Sequence, residues 1–137
     1  MLKIAVTMAV AVAGLSIPAQ QASAGGFCVE PLCGDVFNRS GNHAIRIAGC
    51  WHDGSIERWE GDELPCDPKM DLPNGQDSDD YSGFNDTDAF RAFRGCITSY
   101  AIGGGAIRGL DRRGRSSLWI RFHNEQNVTI TGITCFN

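Results

Sequence analysis

The chain has 137 residues, 42% of them hydrophobic and 20% charged, with a formal net charge of −4. That apolar share is near the globular average, which excludes low-complexity disorder, and the length fits one domain of roughly 100–200 residues. The acidic balance opposes a phosphate backbone at long range, so nucleic acid is not the expected partner.

Met1-Leu2-Lys3 supplies one positive charge, Ile4 to Pro18 is an apolar run without a charge, and Ala22-Ser23-Ala24 precedes Gly25. This is the pattern of a secretory signal peptide over residues 1–24. The run is shorter than the ~20 apolar residues a spanning helix needs, and no later stretch is long enough to replace it. Residues 25–137 are therefore expected to form a single secreted, extracellular domain, monomeric and without a membrane span. Without Lys3 this segment carries 11 basic against 16 acidic residues, a net of −5.

All six cysteines lie in that segment, and an even count in a small exported chain reads as three disulfides. Six cysteines admit fifteen pairings. Pairing sequence neighbours joins Cys28 with Cys33, Cys50 with Cys66 and Cys96 with Cys135. Zinc fails on spacing, because no Cys-x2-Cys pair occurs and only His52 stands close to a cysteine.

In chain order, Phe27 to Trp51 is β-like. Its stretch His43-Ala44-Ile45-Arg46-Ile47 alternates with period two, which puts Ile45 and Ile47 on one face. Ser40-Gly41-Asn42 is turn chemistry, and a hairpin around it is expected. His52 to Asp88 is acidic, with a local charge of −10; Ile56, Trp59 and Leu64 mark one edge strand in it, and Asp67 to Gly83 reads as a long loop. Between Arg91 and Arg121 the local charge is +6. Cys96 to Ile102 is expected as a strand and Gly103-Gly104-Gly105 as a turn. Leu118-Trp119-Ile120-Arg121-Phe122 and Asn127-Val128-Thr129-Ile130-Thr131 alternate, and His123-Asn124-Glu125-Gln126 would join them as a hairpin loop. No segment after Gly25 keeps a helical period for three turns. The expectation is an all-β fold, a small disulfide-stapled β-sandwich or Greek-key barrel of six to eight short strands.

Four groups of residues carry possible chemistry. Asp77, Asp79, Asp80, Asn85, Asp86 and Asp88 offer the oxygen ligands that Ca2+ prefers. An EF-hand is excluded by Tyr81 at the fifth position and the lack of Glu at the twelfth; the alternative is a solvated loop that maintains solubility. No other cofactor is expected. Arg108, Arg112, Arg113 and Arg115 suggest an anion site, since a guanidinium presents a planar fork of donors; the alternative is a polar turn around Gly114. His43, His52 and His123, with Glu57 or Glu125 and Arg121, are the residue types of acid–base hydrolysis, but linear spacing does not assemble them and no catalytic residue is assigned. Oxidised cysteines exclude a thiol nucleophile. Lastly, strand alternation separates Trp119 and Arg121 from Leu118, Ile120 and Phe122. If the latter are core, Trp119 and Arg121 form an exposed aromatic–cation strip, the residue types favoured at binding hot spots. Asn38, Asn85 and Asn127 stand in glycosylation sequons.

The strings Phe37-Asn38-Arg39-Ser40-Gly41, Asp86-Thr87-Asp88-Ala89-Phe90-Arg91 and Asp111-Arg112-Arg113-Gly114-Arg115-Ser116-Ser117, with Val128-Thr129-Ile130, resemble a group of small secreted actinobacterial proteins of unassigned activity. The resemblance implies export and compact β structure. Phe93-Arg94-Gly95 followed by Ser116-Ser117-Leu118-Trp119-Ile120 is similar to half of a βγ-crystallin Greek-key motif, over less than a third of the chain. Arg112 and Arg113 stand where that family places its calcium-binding acidic or amide residues, and Asp88 stands where it places an aromatic. The sequence thus points to a secreted non-enzymatic binding protein, such as an inhibitor of an extracellular hydrolase or an envelope-binding module. The alternatives are a small secreted hydrolase or nuclease toxin, and a calcium-stabilised structural protein.

Overall fold

The structure is a computed structural model and describes residues 33–52, 54–123 and 125–136. The expected signal peptide and Cys28 lie outside the described residues. The strands are β1 (Val36–Asn38), β2 (Ile45–Ala48), β3 (Arg58–Glu60), β4 (Lys69–Leu72), β5 (Ala89–Ala92), β6 (Cys96–Ile102), β7 (Arg108–Asp111), β8 (Leu118–Arg121) and β9 (Val128–Cys135). A single 3-10 turn, Ser78–Asp80, is the one helical element among the described residues. The strands form two sheets, one ordered β1-β9-β6-β7 and the other β3-β8-β5-β2-β4. The all-β, sandwich-like, disulfide-stapled architecture expected from the alternating patterns is the one observed.

Period-two alternation builds the core. Ile45, Ile47, Leu72, Phe90, Leu118 and Ile120 of the five-stranded sheet meet Val36, Tyr100, Val128, Ile130 and Ile133 of the four-stranded sheet in one buried cluster. Registers place Ile47 opposite Phe90 and Phe90 opposite Ile120, so the inner face is continuous across β2, β5 and β8. Cys96 and Cys135 are direct cross-strand partners on β6 and β9 and are joined by a disulfide. Cys50 is bonded to Cys66. These are two of the three pairs expected from sequence proximity. Cys33 is disulfide-bonded as well.

Three local expectations are corrected. Strands β1 and β2 do not form a hairpin: β1 pairs in parallel with β9 and β2 lies in the other sheet, so Ser40-Gly41-Asn42 turns an arch between layers. Asn38 holds that arch, donating from its buried amide to the carbonyls of His43 at 2.8 Å and Leu72 at 2.9 Å. The sequon at Asn38 is therefore closed in the folded chain. Strands β8 and β9 likewise lie in different sheets. In both cases the two apolar faces that looked like hairpin partners instead face one another across the core. The expected loop Asp67 to Gly83 contains β4, whose Met70 and Leu72 pack inward opposite Ile47 and Ile45.

The expected exposed strip is also corrected. Trp119 is 0% exposed. Alternation does turn it to the outer face of its sheet, but Cys50, Trp51, Leu64 and Cys66, from the stretches on either side of β3, roof that face. Trp119, Ala48, Ala89, Cys50 and Leu64 form a second buried cluster, flanked by Trp51, Trp59 and Cys66. The roof is tied by the disulfide and by hydrogen bonds from Trp51 Nε1 to the Ile56 carbonyl (2.9 Å), Trp59 Nε1 to that of Glu63 (3.1 Å) and Lys69 Nζ to that of Leu64 (2.8 Å). A period-two pattern assigns faces but does not say which face meets water.

Candidate functional site: the β7 rim

The five arginines expected at binding surfaces part company. Arg112 is 5% exposed and structural: Nε donates to the Ser116 carbonyl at 2.7 Å and Nη2 to Glu60 Oε1 at 3.0 Å. Arg121 lies against the roof, with Nη1 on the Gly54 carbonyl at 3.2 Å and 3.9 Å from Glu57 Oε1. Arg108, Arg113 and Arg115 remain at the surface, with Arg108 on β7 and the other two in the turn that follows it. Arg113 clasps Asp111, and its hydrogen bonds hold that carboxyl down at about 2. The Arg113 guanidinium also stands 5.2 Å from the Phe136 ring centroid.

Strand β7 is the outer strand of its sheet and, among the described residues, pairs only with β6. The Arg112 N–H donates to the Cys96 carbonyl at 2.8 Å, which sets the phase of the ladder. In an antiparallel pair, alternate residues turn both backbone groups to the partner strand. Leu110 and Arg108 therefore point theirs at β6, and Gly109 and Asp111 point theirs outward. Among the described residues no group accepts from either outward N–H. A Cβ added at Gly109 would meet nothing within 4 Å. Among the described residues the exposed large hydrophobic ones are Ile107, 67% exposed at the head of β7, and Phe136, 48% exposed beyond its foot.

The opposite edge of the same sheet is closed. Asn38 N–H donates to the Gln76 carbonyl at 3.0 Å, Gly75 N–H to that of Asn38 at 2.7 Å, and Val36 N–H to Ser78 Oγ at 2.9 Å. The segment after β4 thus covers β1. In the second sheet the outer strands β3 and β4 are flanked by Glu57, Glu60, Asp62 and Glu63, and by Asp67 and Asp71. The β7 edge combines exposed backbone, exposed apolar side chains and positive charge. Sequence reasoning found its arginines but not the strand, because four residues containing a glycine carry too short a pattern. The glycine triplet after β6 was the available signal for a returning strand.

The other expected groups are placed as follows. Asp77, Asp79 and Asp80 converge, their carboxylates lying within 4.8 Å of one another, while Asp86 and Asp88 are not in that group. Asp77 is also paired with Arg39. Burial, with the charge of Asp86, pushes the Asp88 carboxyl up to about 6 against the opposing pull of Arg121. His43 sits in the β1–β2 arch beside Asn42 (2.6 Å), and His52 stands edge-on to Trp59. His123 Nε2 lies 3.5 Å from Glu57 Oε2, both side chains largely in solvent. Among the described residues no helix is long and apolar enough to cross a membrane.

Compared with known proteins, the chain matches no family model, no curated protein and no solved structure.

Proposed function

We propose that this chain is a secreted, non-enzymatic binding protein that captures an extracellular protein or envelope component through the β7 rim. The observation that carries the reading is the edge of β7, unpaired among the described residues, with Ile107 exposed at its head and Arg108, Arg113 and Arg115 around it. Disulfides at Cys50–Cys66 and Cys96–Cys135 fit an oxidising compartment. A scaffold so braced loses little entropy on association, which favours binding by a fixed surface. An inhibitor of an extracellular hydrolase and an envelope-binding module both use such a surface.

The test is capture. Oxidised protein purified from the medium of cells expressing the full chain is immobilised and exposed to extracellular proteins and envelope material, beside the variant Arg108→Glu/Arg113→Glu/Arg115→Glu. One near-stoichiometric species, retained by the native protein and lost with the variant, is the expected result. Equal capture by both would remove the rim from the account.

A second reading, a small hydrolase or nuclease toxin, is favoured by the meeting of His123, Glu57 and Arg121 at the roof edge. It expects turnover of ester, glycoside or phosphodiester substrates that Glu57→Gln and His123→Ala abolish.

A further inference from the structure

We propose that the partner adds an extended, carboxylate-bearing segment to the sheet as a strand alongside β7. This rests on the reading of the rim as the binding surface and names how that surface binds and what it takes. Three observations carry it.

The outward N–H and C=O groups of Gly109 and Asp111 repeat at the spacing of a strand ladder, so an extended backbone satisfies them without rearrangement. Natural sheets guard such edges with bulges, charge or a covering segment. This protein covers the β1 edge with residues 75–77, whereas among the described residues no segment covers β7, which carries charge instead. The glycine at the centre of the edge removes the side chain that would stand beside an arriving strand, and the space around it is empty.

Charge selects the occupant. The open edge is flanked by Arg108, Arg113 and Arg115, and Asp111 is its one carboxylate, already clasped by Arg113. A segment with a carboxylate opposite Arg108, and others reaching Arg113 and Arg115, is matched; a basic segment is repelled. Ile107, one residue before Arg108, offers an apolar contact to a residue beyond the carboxylate that faces Arg108.

The probe is a capped peptide of roughly eight residues, the length of a long strand, alternating valine and glutamate. Its controls are the same peptide with lysine for glutamate and the glutamate peptide with alternate amides N-methylated. The protein variant is Gly109→Pro, which removes one outward N–H without touching the β6 ladder and is tolerated at a sheet edge. The glutamate peptide is expected to bind, the lysine peptide not to bind, and N-methylation or Gly109→Pro each to weaken binding about ten-fold, the loss that follows from one or two hydrogen bonds. N-methylation leaves the protein unaltered, so that arm stands if the proline variant does not fold.

Equal binding of the methylated and unmethylated peptides would overturn strand addition while leaving the arginine rim as the capturing surface. Dimerisation of the free protein that Gly109→Pro abolishes would overturn it too, because a second copy would then be the occupant. Failure of the rim reading itself shows separately, as capture from extracellular material that is indifferent to the arginine reversals.

Discussion

Arg112 Nη2 donates to Glu60 Oε1 at 3.0 Å across 52 residues of sequence, while its Nε holds the Ser116 carbonyl. One guanidinium thus ties the foot of β7, in the four-stranded sheet, to β3, the outer strand of the other. The two ends of this link are unequal, since Arg112 is buried and Glu60 is exposed. Arg112→Ala removes a buried side chain together with both of these hydrogen bonds, at a cost of about 2 kcal/mol. Glu60→Gln keeps an accepting oxygen and removes only the charge of a solvated partner, at a cost of about 0.5 kcal/mol. Urea unfolding of both variants checks the order.

The three tryptophans of the chain all stand in or against the cluster beneath the Cys50–Cys66 roof. Tryptophan emission therefore reports the roof and little else. Replacing Cys50 and Cys66 by alanine is expected to shift the native emission to longer wavelength and to cost about 3 kcal/mol. Replacing Cys96 and Cys135, which close the longer loop of 39 residues, is expected to cost somewhat more and to leave the native emission unchanged.

Asp88 is held up at about 6 from an ordinary 3.8, chiefly by burial and then by Asp86. The folded state binds this proton more tightly than the unfolded one between those values. Stability from this group is therefore greatest at low pH and falls as pH rises from about 4 to about 6. Asp88→Asn is expected to raise the melting temperature at pH 7 relative to the native chain and to flatten that part of the pH profile. Equal melting curves for the two proteins across the range would contradict the assignment.

Thr98 is fully buried on β6, and its hydroxyl has no hydrogen-bond partner among the described residues. Thr98→Val keeps the shape and replaces that hydroxyl by a methyl group. It is expected to stabilise the protein by about 1 kcal/mol in urea unfolding.

Much of this fold is legible in the sequence because the core is written in alternation. Ile45 and Ile47, Leu118 and Ile120, and Val128 and Ile130 all share the faces that the pattern assigns them. Connectivity is less legible. The Ser40–Asn42 and His123–Gln126 turns are chemically alike whether they join strands of one sheet or cross between two, and only the packing of both apolar faces decides. Trp119 illustrates the same limit at the site, because its burial depends on a roof 53 to 69 residues earlier in the chain. Among the arginines, Arg112 and Arg113 are adjacent in sequence, yet one is core and the other rim. The turn after β7 separates them, and no local pattern marks which will meet Glu60.

The most direct measurement is amide hydrogen exchange on the oxidised protein by NMR. With β7 as an open edge, the amides of Gly109 and Asp111 exchange rapidly while that of Leu110, turned toward β6, is protected, as is that of Asn38 on the covered edge. Strong protection at Gly109 and Asp111 in the free protein would mean that the edge is already occupied, and would contradict its assignment as the binding surface.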